Sequence, residues 1–196
     1  MKLPESFYGR PSVVKVARDL LGKLLVTNIE GIETGGIIVE TEAYSWKEKG
    51  CHAYGNKKTK RNEVMFNSGG YAYVYLCYGI HHLFNVVTNA AGTADAVLIR
   101  ALEPTVGMEH MLWRATTSST ARITAGPGKL TKALGITRSM NGSYLNGDAV
   151  WIEESGIHPS KKDIVVRKRI GIDYAGDDAL LPWRFYLRNN DWVSKY

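Results

Sequence analysis

The chain is poor in cysteine and has no long apolar run. Cys51 and Cys77 are the only cysteines in 196 residues, too few for a disulfide framework and in keeping with a reducing compartment. No run of about 18 apolar residues occurs, so we expect no membrane span. The first residues, Met-Lys-Leu-Pro-Glu, lack the apolar segment of a signal peptide. We therefore expect a cytoplasmic protein.

Patterns for metal and nucleotide triphosphate binding are also missing. The cysteines and His52, His81 and His82 match no zinc spacing, because there is neither Cys-x-x-Cys nor His-Glu-x-x-His. The segment 126–129, Gly-Pro-Gly-Lys, lacks the spacing of a Walker phosphate loop and its Ser or Thr after the lysine. Lys129 and the glycines remain candidates for holding a DNA phosphate through backbone N–H groups. We expect neither a metal nor an organic cofactor.

The length and the 44% apolar content predict one domain over residues 1–196, with no linker or repeat. Hydrophobic periodicity and turn residues predict helices at 13–21, 108–114 and 129–134. They predict strands at 24–29, 36–44, 71–78, 83–88, 96–102, 149–153, 164–169 and 184–188, with a glycine-rich turn at 31–35 between the first two. We therefore expect an α+β fold: a single mixed domain with a curved, largely antiparallel β-sheet, flanking helices and a protruding β-hairpin.

The charge balance is basic, with 25 Lys and Arg against 19 Asp and Glu and a net charge of +6. A basic protein favours polyanionic partners, because neutralising phosphates releases condensed counterions. Two clusters stand out: Lys57, Lys58, Lys60 and Arg61, and then Lys161, Lys162, Arg167, Lys168 and Arg169. Clusters of like charge are often only solvated surface. Charge alone therefore leaves the question of DNA contact open.

Acidic and aromatic residues alternate on the strand that ends at Tyr44. Side chains on a strand point to opposite faces in turn. Residues 37, 39, 41 and 43 should face one way, and residues 38, 40, 42 and 44 the other. Glu42 and Tyr44 would then share a face, as a pocket for a flat base beside an acid requires. An ordinary solvent-facing surface is the plainer interpretation, and strand geometry does not rank Glu40 against Glu42.

Tyrosines dominate the segment 71–78, where Tyr71, Tyr73, Tyr75 and Cys77 should share one face. Tyrosine is favoured in strands, so a structural ladder is the default interpretation. Tyr78 lies beside a glycine at the predicted hairpin tip, where an aromatic ring can wedge between DNA bases.

Two polar residues interrupt apolar strands further along the chain. Asn85 lies between Phe84 and Val86, as either a satisfied core residue or a pocket residue. Arg100 follows Val97-Leu98-Ile99, and a buried arginine needs an anionic partner, which Glu42 or a phosphate would supply.

Taken together, the ordered motifs resemble the alkyladenine DNA glycosylase family, the 3-methyladenine glycosylases of the methylpurine type. The resemblance runs from about residue 20 to near the C-terminus. It rests on Ile-Val-Glu-Thr-Glu-Ala-Tyr (38–44), His52, Thr-Lys-Arg-Asn (59–62), Met-Phe (65–66), Tyr-Val-Tyr-Leu-Cys-Tyr-Gly (73–79), Asn85, 98–104, 126–130, 169–171 and 184–186. The segment departs from the family pattern at His81-His82, after the hairpin turn, where relatives can carry aromatic or other residues.

The resemblance implies a monofunctional glycosylase that flips a damaged purine out of duplex DNA and hydrolyses its glycosidic bond. It assigns the general base to Glu42, and water positioning to Arg100 and the Ile170 carbonyl. Tyr44, His52 and Tyr75 would stack on the base, Asn85 would exclude guanine, and Tyr78 would fill the vacated stack. It further implies lesions such as 3-methyladenine, 7-methylguanine, hypoxanthine and ethenoadenine.

We thus expect damaged double-stranded DNA as the partner of a chain that acts as a monomer, with no obligate protein partner. In a bacterium, the resemblance implies association with the nucleoid. Lys57, Lys58, Lys60, Arg61 and Lys129 are the candidates for contacting phosphate. Two alternatives remain open: a non-catalytic nucleic-acid binding module, and a hydrolase of free nucleosides. The scattered basic residues and the Tyr78 wedge weigh against the second.

Overall fold

Eight antiparallel β-strands form one sheet in the computed structural model of the protein, which describes residues 1–195. The strands are β1 (Leu24–Ile29), β2 (Ile32–Tyr44), β3 (Ala72–Cys77), β4 (His81–Thr88), β5 (Asp95–Val106), β6 (Val150–Glu153), β7 (Ile164–Arg167) and β8 (Arg184–Leu187). The order along the sheet is β3-β4-β5-β2-β1-β6, and β7 and β8 branch from β2 through the pairing of β8 with β2. The antiparallel sheet that the sequence predicts is confirmed.

Four short α-helices accompany the sheet in the described residues: α1 (Glu5–Tyr8), α2 (Val13–Asp19), α3 (Met108–Ala115) and α4 (Pro127–Leu134). Short 3-10 helices lie at Tyr54–Asn56, Glu63–Phe66, Arg138–Met140, Lys161–Asp163 and Asp173–Leu180. α2 begins after Ser12, whose side-chain oxygen accepts a hydrogen bond from the Lys15 amide and so caps the helix. α2 and α4 pack on the sheet and enclose the main core, as the predicted mixed α+β fold requires.

None of the helices in residues 1–195 is long and apolar enough to cross a membrane.

Strand β2 is the centre of the sheet. One of its edges pairs with β5 from Gly35 to Tyr44. Its other edge pairs first with β1 and then, from Glu40 to Glu42, with β8. Because both edges are covered, the second half of β2 is buried, and its acidic residues lie in the interior rather than at the surface.

The turn between the first two strands is shorter than the sequence indicates. β2 begins at Ile32, and only Glu30 and Gly31 form the turn, both with positive φ angles of 54° and 82°. Gly35 and Gly36 lie inside the strand, so the prediction of a turn over 31–35 is wrong. Added Cβ atoms there would lie 2.7 Å from the Leu25 carbonyl oxygen and 2.5 Å from that of Glu103. These glycines permit close approach of neighbouring strands, which local sequence does not reveal.

The side chains of β2 do not alternate strictly. The pairing with β5 shifts register between Ile38 and Glu40 and again before Thr41. Ile38 therefore packs in the main core together with Ala43, although strict alternation places them on opposite faces. Val39 lies in a separate cluster with Ala101. The faces predicted for the residues before the register shift are thus wrong relative to those after it. The reason is that a β-bulge adds a residue to one strand.

The close approach at Gly36 yields a test of the fold. We expect Gly36→Ala to lower the free energy of unfolding by about 1–3 kcal/mol, because the new methyl group would crowd the Glu103 carbonyl oxygen. Urea unfolding followed by circular dichroism measures the change. Gly9→Ala is the matched control, since its Cβ would lie at an ordinary 3.6 Å from the nearest heavy atom. Equal stability of the two variants would contradict the close approach.

Candidate active site

A cavity of about 710 Å³ opens beside the β3–β4 hairpin. The end of β2, the start of α4 and the segment around Ile170 complete its walls. Its aromatic lining consists of Tyr44, His52, Tyr73, Tyr75, Tyr78, His81 and Tyr174. Asn85, Arg61, Arg100 and Lys129 supply polar and charged groups. An apolar cleft with a few convergent polar groups is the usual form of a binding site for a flat ligand.

Glu42 lies directly behind this cavity and is fully buried. One carboxylate oxygen accepts a hydrogen bond of 2.8 Å from the Ile170 amide. The other accepts one of 2.8 Å from the Tyr44 hydroxyl and lies 3.3 Å from a guanidinium nitrogen of Arg100. Ile170, Tyr44 and Arg100 all line the cavity. The carboxylate is therefore held by three residues that line the cavity.

Glu40 is equally buried but has different partners. It accepts hydrogen bonds from Arg100 at 3.1 Å, from Arg184 at 3.0 Å and from the Ser194 amide at 2.8 Å. Neither glutamate itself lines the cavity, but all three partners of Glu42 do, whereas only Arg100 does among the partners of Glu40. The geometry therefore favours Glu42 over Glu40 for chemistry in the cavity, a choice that strand alternation leaves open.

The buried charged groups at the site shift each other's pKa values. Burial raises the pKa of Glu42, against the opposing effects of Arg100, the Tyr44 hydroxyl and the Ile170 amide, and Glu40 raises it further. Burial lowers the pKa of Arg100, but attraction to Glu42 and Glu40 outweighs this, so its pKa rises above the usual value. Arg100 thus stays cationic, while the pKa of Glu42 lies above the usual value of a glutamate.

One wall of the cavity is a set of interlocked rings. The His52 and Tyr75 rings meet edge to face at a centroid distance of 4.5 Å, and Tyr73 and Tyr75 lie 5.4 Å apart. His52 Nδ1 lies 3.0 Å from the Tyr73 hydroxyl oxygen. Partial burial of the ring, together with the nearby Arg61 guanidinium, lowers the pKa of His52 to about 4. The imidazole is therefore neutral at pH 7 and presents a flat, uncharged surface.

Asn85 and Tyr78 occupy opposite ends of the hairpin. Asn85 is buried, faces the cavity and donates a hydrogen bond of 3.1 Å to the Tyr73 carbonyl. Tyr78 forms the tip with Gly79, and the φ angles of the two residues are 50° and 74°. The Tyr78 side chain is 88% exposed, which is unusual for a tyrosine without a partner surface. The hairpin thus places one polar side chain inside the cavity and one largely exposed aromatic ring at its edge.

The candidate phosphate-binding residues divide into two groups. Arg61 and Lys129 line the cavity, and the Arg61 guanidinium lies 5.5 Å from the Tyr75 ring centroid. Lys57, Lys58 and Lys60 are exposed on the adjoining loop.

Sequence analysis missed how several buried polar residues organise the site. Asn62 holds the basic loop through hydrogen bonds with Lys57, Thr59 and the His52 carbonyl. Arg169 was assigned to a surface cluster, but it is buried and paired with Glu48, so that assignment is wrong. Its position next to two exposed basic residues conceals this role. The only available signal was its place in the Arg-Ile-Gly motif.

Comparison with known proteins agrees with this geometry. Residues 6–191 match the family described as methylpurine-DNA glycosylase (MPG). The chain belongs to the methylpurine-DNA glycosylase family. It is 50% identical over 195 residues to a protein of Carboxydothermus hydrogenoformans, 45% over 204 to one of Alkaliphilus oremlandii and 44% over 205 to one of Bacillus cytotoxicus. Each of the three alignments covers 100% of both chains, and each relative is named "Putative 3-methyladenine DNA glycosylase".

Membership of the methylpurine-DNA glycosylase family makes the chain a DNA glycosylase, an enzyme that hydrolyses the bond between a base and its sugar. The resemblance that the sequence motifs indicate is thereby confirmed. In residues 1–195, no three His, Cys, Asp or Glu side chains are grouped so that they could hold a metal ion.

The hydrogen bond between Tyr44 and Glu42 allows a test of how the pKa of Glu42 is set. We expect Tyr44→Phe to raise the pKa of Glu42 further, because the hydroxyl stabilises the ionised carboxylate. The carboxyl group would then take up its proton at a higher pH. Carboxyl ¹³C shifts followed through a pH titration measure the change. Tyr75→Phe is the control, as its hydroxyl is not a partner of Glu42, and an unshifted titration in Tyr44→Phe would refute the assignment.

Proposed function

We propose that the protein removes alkylated and deaminated purines from duplex DNA by hydrolysis, with Glu42 activating the attacking water. The observation that carries this proposal is the buried Glu42 carboxylate behind an aromatic cavity, held by Tyr44, Arg100 and the Ile170 amide. The candidate substrates are 3-methyladenine, 7-methylguanine, hypoxanthine and ethenoadenine. The relatives' names support the first of these for the relatives themselves.

We infer that the base leaves the DNA stack to enter the cavity. Glu42 is buried behind the cavity walls, so the glycosidic carbon of a stacked nucleotide has no access to it. Extrusion of a nucleotide costs a few kcal/mol, and it costs least for damaged or mispaired bases. The volume of about 710 Å³ is in the range of cavities that enclose a small ligand. We infer that the flipped base occupies the space beside Tyr75 and His52.

The chemical step is a displacement at C1′ of deoxyribose. The water oxygen forms a bond to C1′ as the bond from C1′ to the purine N9 breaks, and the bonding electrons leave with the base. Ionised Glu42 takes the proton from the water. Its negative charge also stabilises the positive charge that develops on the sugar in an oxocarbenium-like transition state. A cationic alkylated purine leaves as a neutral base, whereas hypoxanthine has to be protonated as it leaves.

We infer that Arg100 and Ile170 orient the water. Arg100 lies on β5 directly beside Glu42 and faces the cavity, and its charge is maintained by both glutamates. The Ile170 amide fixes one carboxylate oxygen, which leaves the Ile170 carbonyl as a candidate acceptor for the water. Held from two sides, a water molecule would approach C1′ in a single orientation.

The aromatic walls explain a preference for damaged purines. A cationic ring is attracted to the faces of Tyr44 and Tyr75, and the neutral His52 ring adds no opposing charge. Asn85 projects into the same cavity and is fixed by its bond to the Tyr73 carbonyl. We infer that it crowds the exocyclic amino group of normal guanine.

Outside the cavity, Tyr78 would enter the duplex and fill the gap that the flipped nucleotide leaves. Lys57, Lys58, Lys60, Arg61 and Lys129 would bind phosphates around it. Contacts of this kind position the DNA without reading its sequence. The enzyme would therefore select its substrate by the shape and charge of the flipped base.

Replacing the general base tests the proposed chemistry. We expect Glu42→Gln to lower the single-turnover rate of base release by about 100- to 10,000-fold, because glutamine cannot accept the proton. Binding to lesion-containing duplex should persist. Excision is measured on duplexes that contain hypoxanthine or an alkylated purine, by strand cleavage in hot alkali at the abasic site.

Glu33→Gln on the same strand, with an exposed side chain, is the matched control and should react at the wild-type rate. Release by Glu42→Gln at the wild-type rate would exclude Glu42 as the base. A wild-type protein that binds these duplexes and leaves them intact would support the binding module instead.

The role of Tyr78 is tested separately. We expect Tyr78→Ser to weaken capture of the flipped nucleotide, because serine cannot fill the vacated stack. The fluorescence of ethenoadenine in a duplex reports its unstacking and its capture in the cavity. Trp113→Ser is the control, because Trp113 is also 79% exposed but lies on α3 and does not line the cavity. Identical fluorescence changes in wild type and Tyr78→Ser would exclude the wedge.

A further inference from the structure

Behind the cavity lies an ion pair that the proposed mechanism does not use. Glu48 and Arg169 are 2% and 3% exposed. The two guanidinium nitrogens of Arg169 donate to the two carboxylate oxygens of Glu48 at 2.6 and 2.8 Å, a bidentate arrangement. Neither residue lines the cavity. Each, however, is bonded to segments that do.

Arg169 connects three parts of the chain. The same two nitrogens donate to the Ala43 carbonyl and to the Asp178 carbonyl, both at 3.0 Å. Ala43 lies between Glu42 and Tyr44, and the Arg169 guanidinium stacks 4.7 Å from the Tyr44 ring centroid. The next residue in the chain, Ile170, donates its amide to Glu42. Arg169 therefore fixes both residues that donate hydrogen bonds to the Glu42 carboxylate.

Glu48 holds a second segment, the turn that follows Tyr44. Its carboxylate accepts hydrogen bonds from the Gly50 amide at 2.7 Å and the Ser45 amide at 3.4 Å. These bonds shape the turn that leads from Tyr44 to His52. Both oxygens of this carboxylate therefore accept from Arg169 and from a backbone amide of this turn.

We propose that Glu48 and Arg169 form a positioning pair that aligns the Ile170 amide and the Tyr44 ring on Glu42, an inference that rests on the proposed glycosylase mechanism. The pair touches neither the flipped base nor the water. Its effect on rate arises because Glu42 keeps both of its hydrogen-bond donors only while the 169–170 segment and the Tyr44 ring stay in place. A bidentate pair is suited to this, because it fixes orientation as well as distance.

Two variants test the pair. Glu48→Gln replaces one carboxylate oxygen by an amide that cannot accept from Arg169 and Gly50. Gly50→Ala keeps both charges, but its Cβ would lie 2.8 Å from a Glu48 carboxylate oxygen and 3.4 Å from an Arg169 guanidinium nitrogen. Gly50→Ala therefore tests the positioning role even if Glu48→Gln does not fold. Glu154→Gln is the control, since it breaks the 2.7 Å pair with largely buried Lys23 away from the cavity.

Two measurements distinguish alignment from general stability. The first is the pH dependence of single-turnover excision. The groups that face Glu42 are Glu40 on its own strand, Arg100 on β5 and the Tyr44 hydroxyl, with Arg169 behind the Tyr44 ring. Excision requires ionised Glu42, so the rate rises with pH through the pKa of this group. Loss of the Ile170 and Tyr44 hydrogen bonds disfavours the carboxylate, so this rise should move to higher pH in both variants.

We also expect the rate above this rise to fall by about 100-fold in Glu48→Gln, the scale for small misplacements of reacting groups. The second measurement is amide exchange of residues 168–172 by mass spectrometry, which requires no activity. Exchange there should become faster in both variants and stay unchanged in Glu154→Gln. A pH profile and exchange like those of Glu154→Gln would overturn the positioning role. A wild-type protein that releases no base would instead reject the proposed function, and amide exchange would still decide the alignment.

Discussion

Two buried carboxylates, two residues apart on one strand, are the constraint on which the rest of the structure depends. Glu40 and Glu42 are both fully buried on β2. An unpaired charge in this environment would cost several kcal/mol, and two like charges repel each other as well. Arg100 resolves this by contacting both, at 3.1 and 3.3 Å. The central position of β2, with β5 on one edge and β8 on the other, brings Arg100 and Arg184 within reach.

The carboxylates of Glu40 and Glu42 differ in their properties because their surroundings differ. Glu40 is bound by two arginines and a backbone amide, and its hydrogen bonds join β2, β5 and β8 to the C-terminal segment. Glu42 receives a phenol, an amide and a more distant guanidinium, all at the cavity wall. Burial raises its pKa, and these donors only partly offset this effect. The environment thus makes one carboxylate structural and leaves the other suited to proton transfer.

Local sequence predicted the parts of this arrangement that depend on local pattern. The strands, the tyrosine-rich hairpin and the face shared by Glu42 and Tyr44 follow from alternation and turn residues. The roles of Gly35 and Gly36 did not, because they depend on the approach of strands that are distant in sequence. The β2 irregularity reversed the predicted faces of Ile38 and Val39 for the same reason. Arg169 resembled its exposed neighbours, because nothing adjacent to it shows that Glu48 lies beside it.

The residues of the site also differ in how firmly their side chains are held. Glu42, Glu48, Arg100 and Arg169 are buried and multiply bonded, whereas Tyr78, Lys57, Lys58 and Lys60 are exposed. A side chain held by several buried bonds cannot adjust to a misplaced substrate, so the geometry of reaction is set before DNA arrives. Exposed side chains can adapt to many DNA sequences, because phosphate contacts carry no sequence information. Under the proposed function, discrimination then falls to the cavity, where a base would be accepted only if it fits the aromatic walls and Asn85.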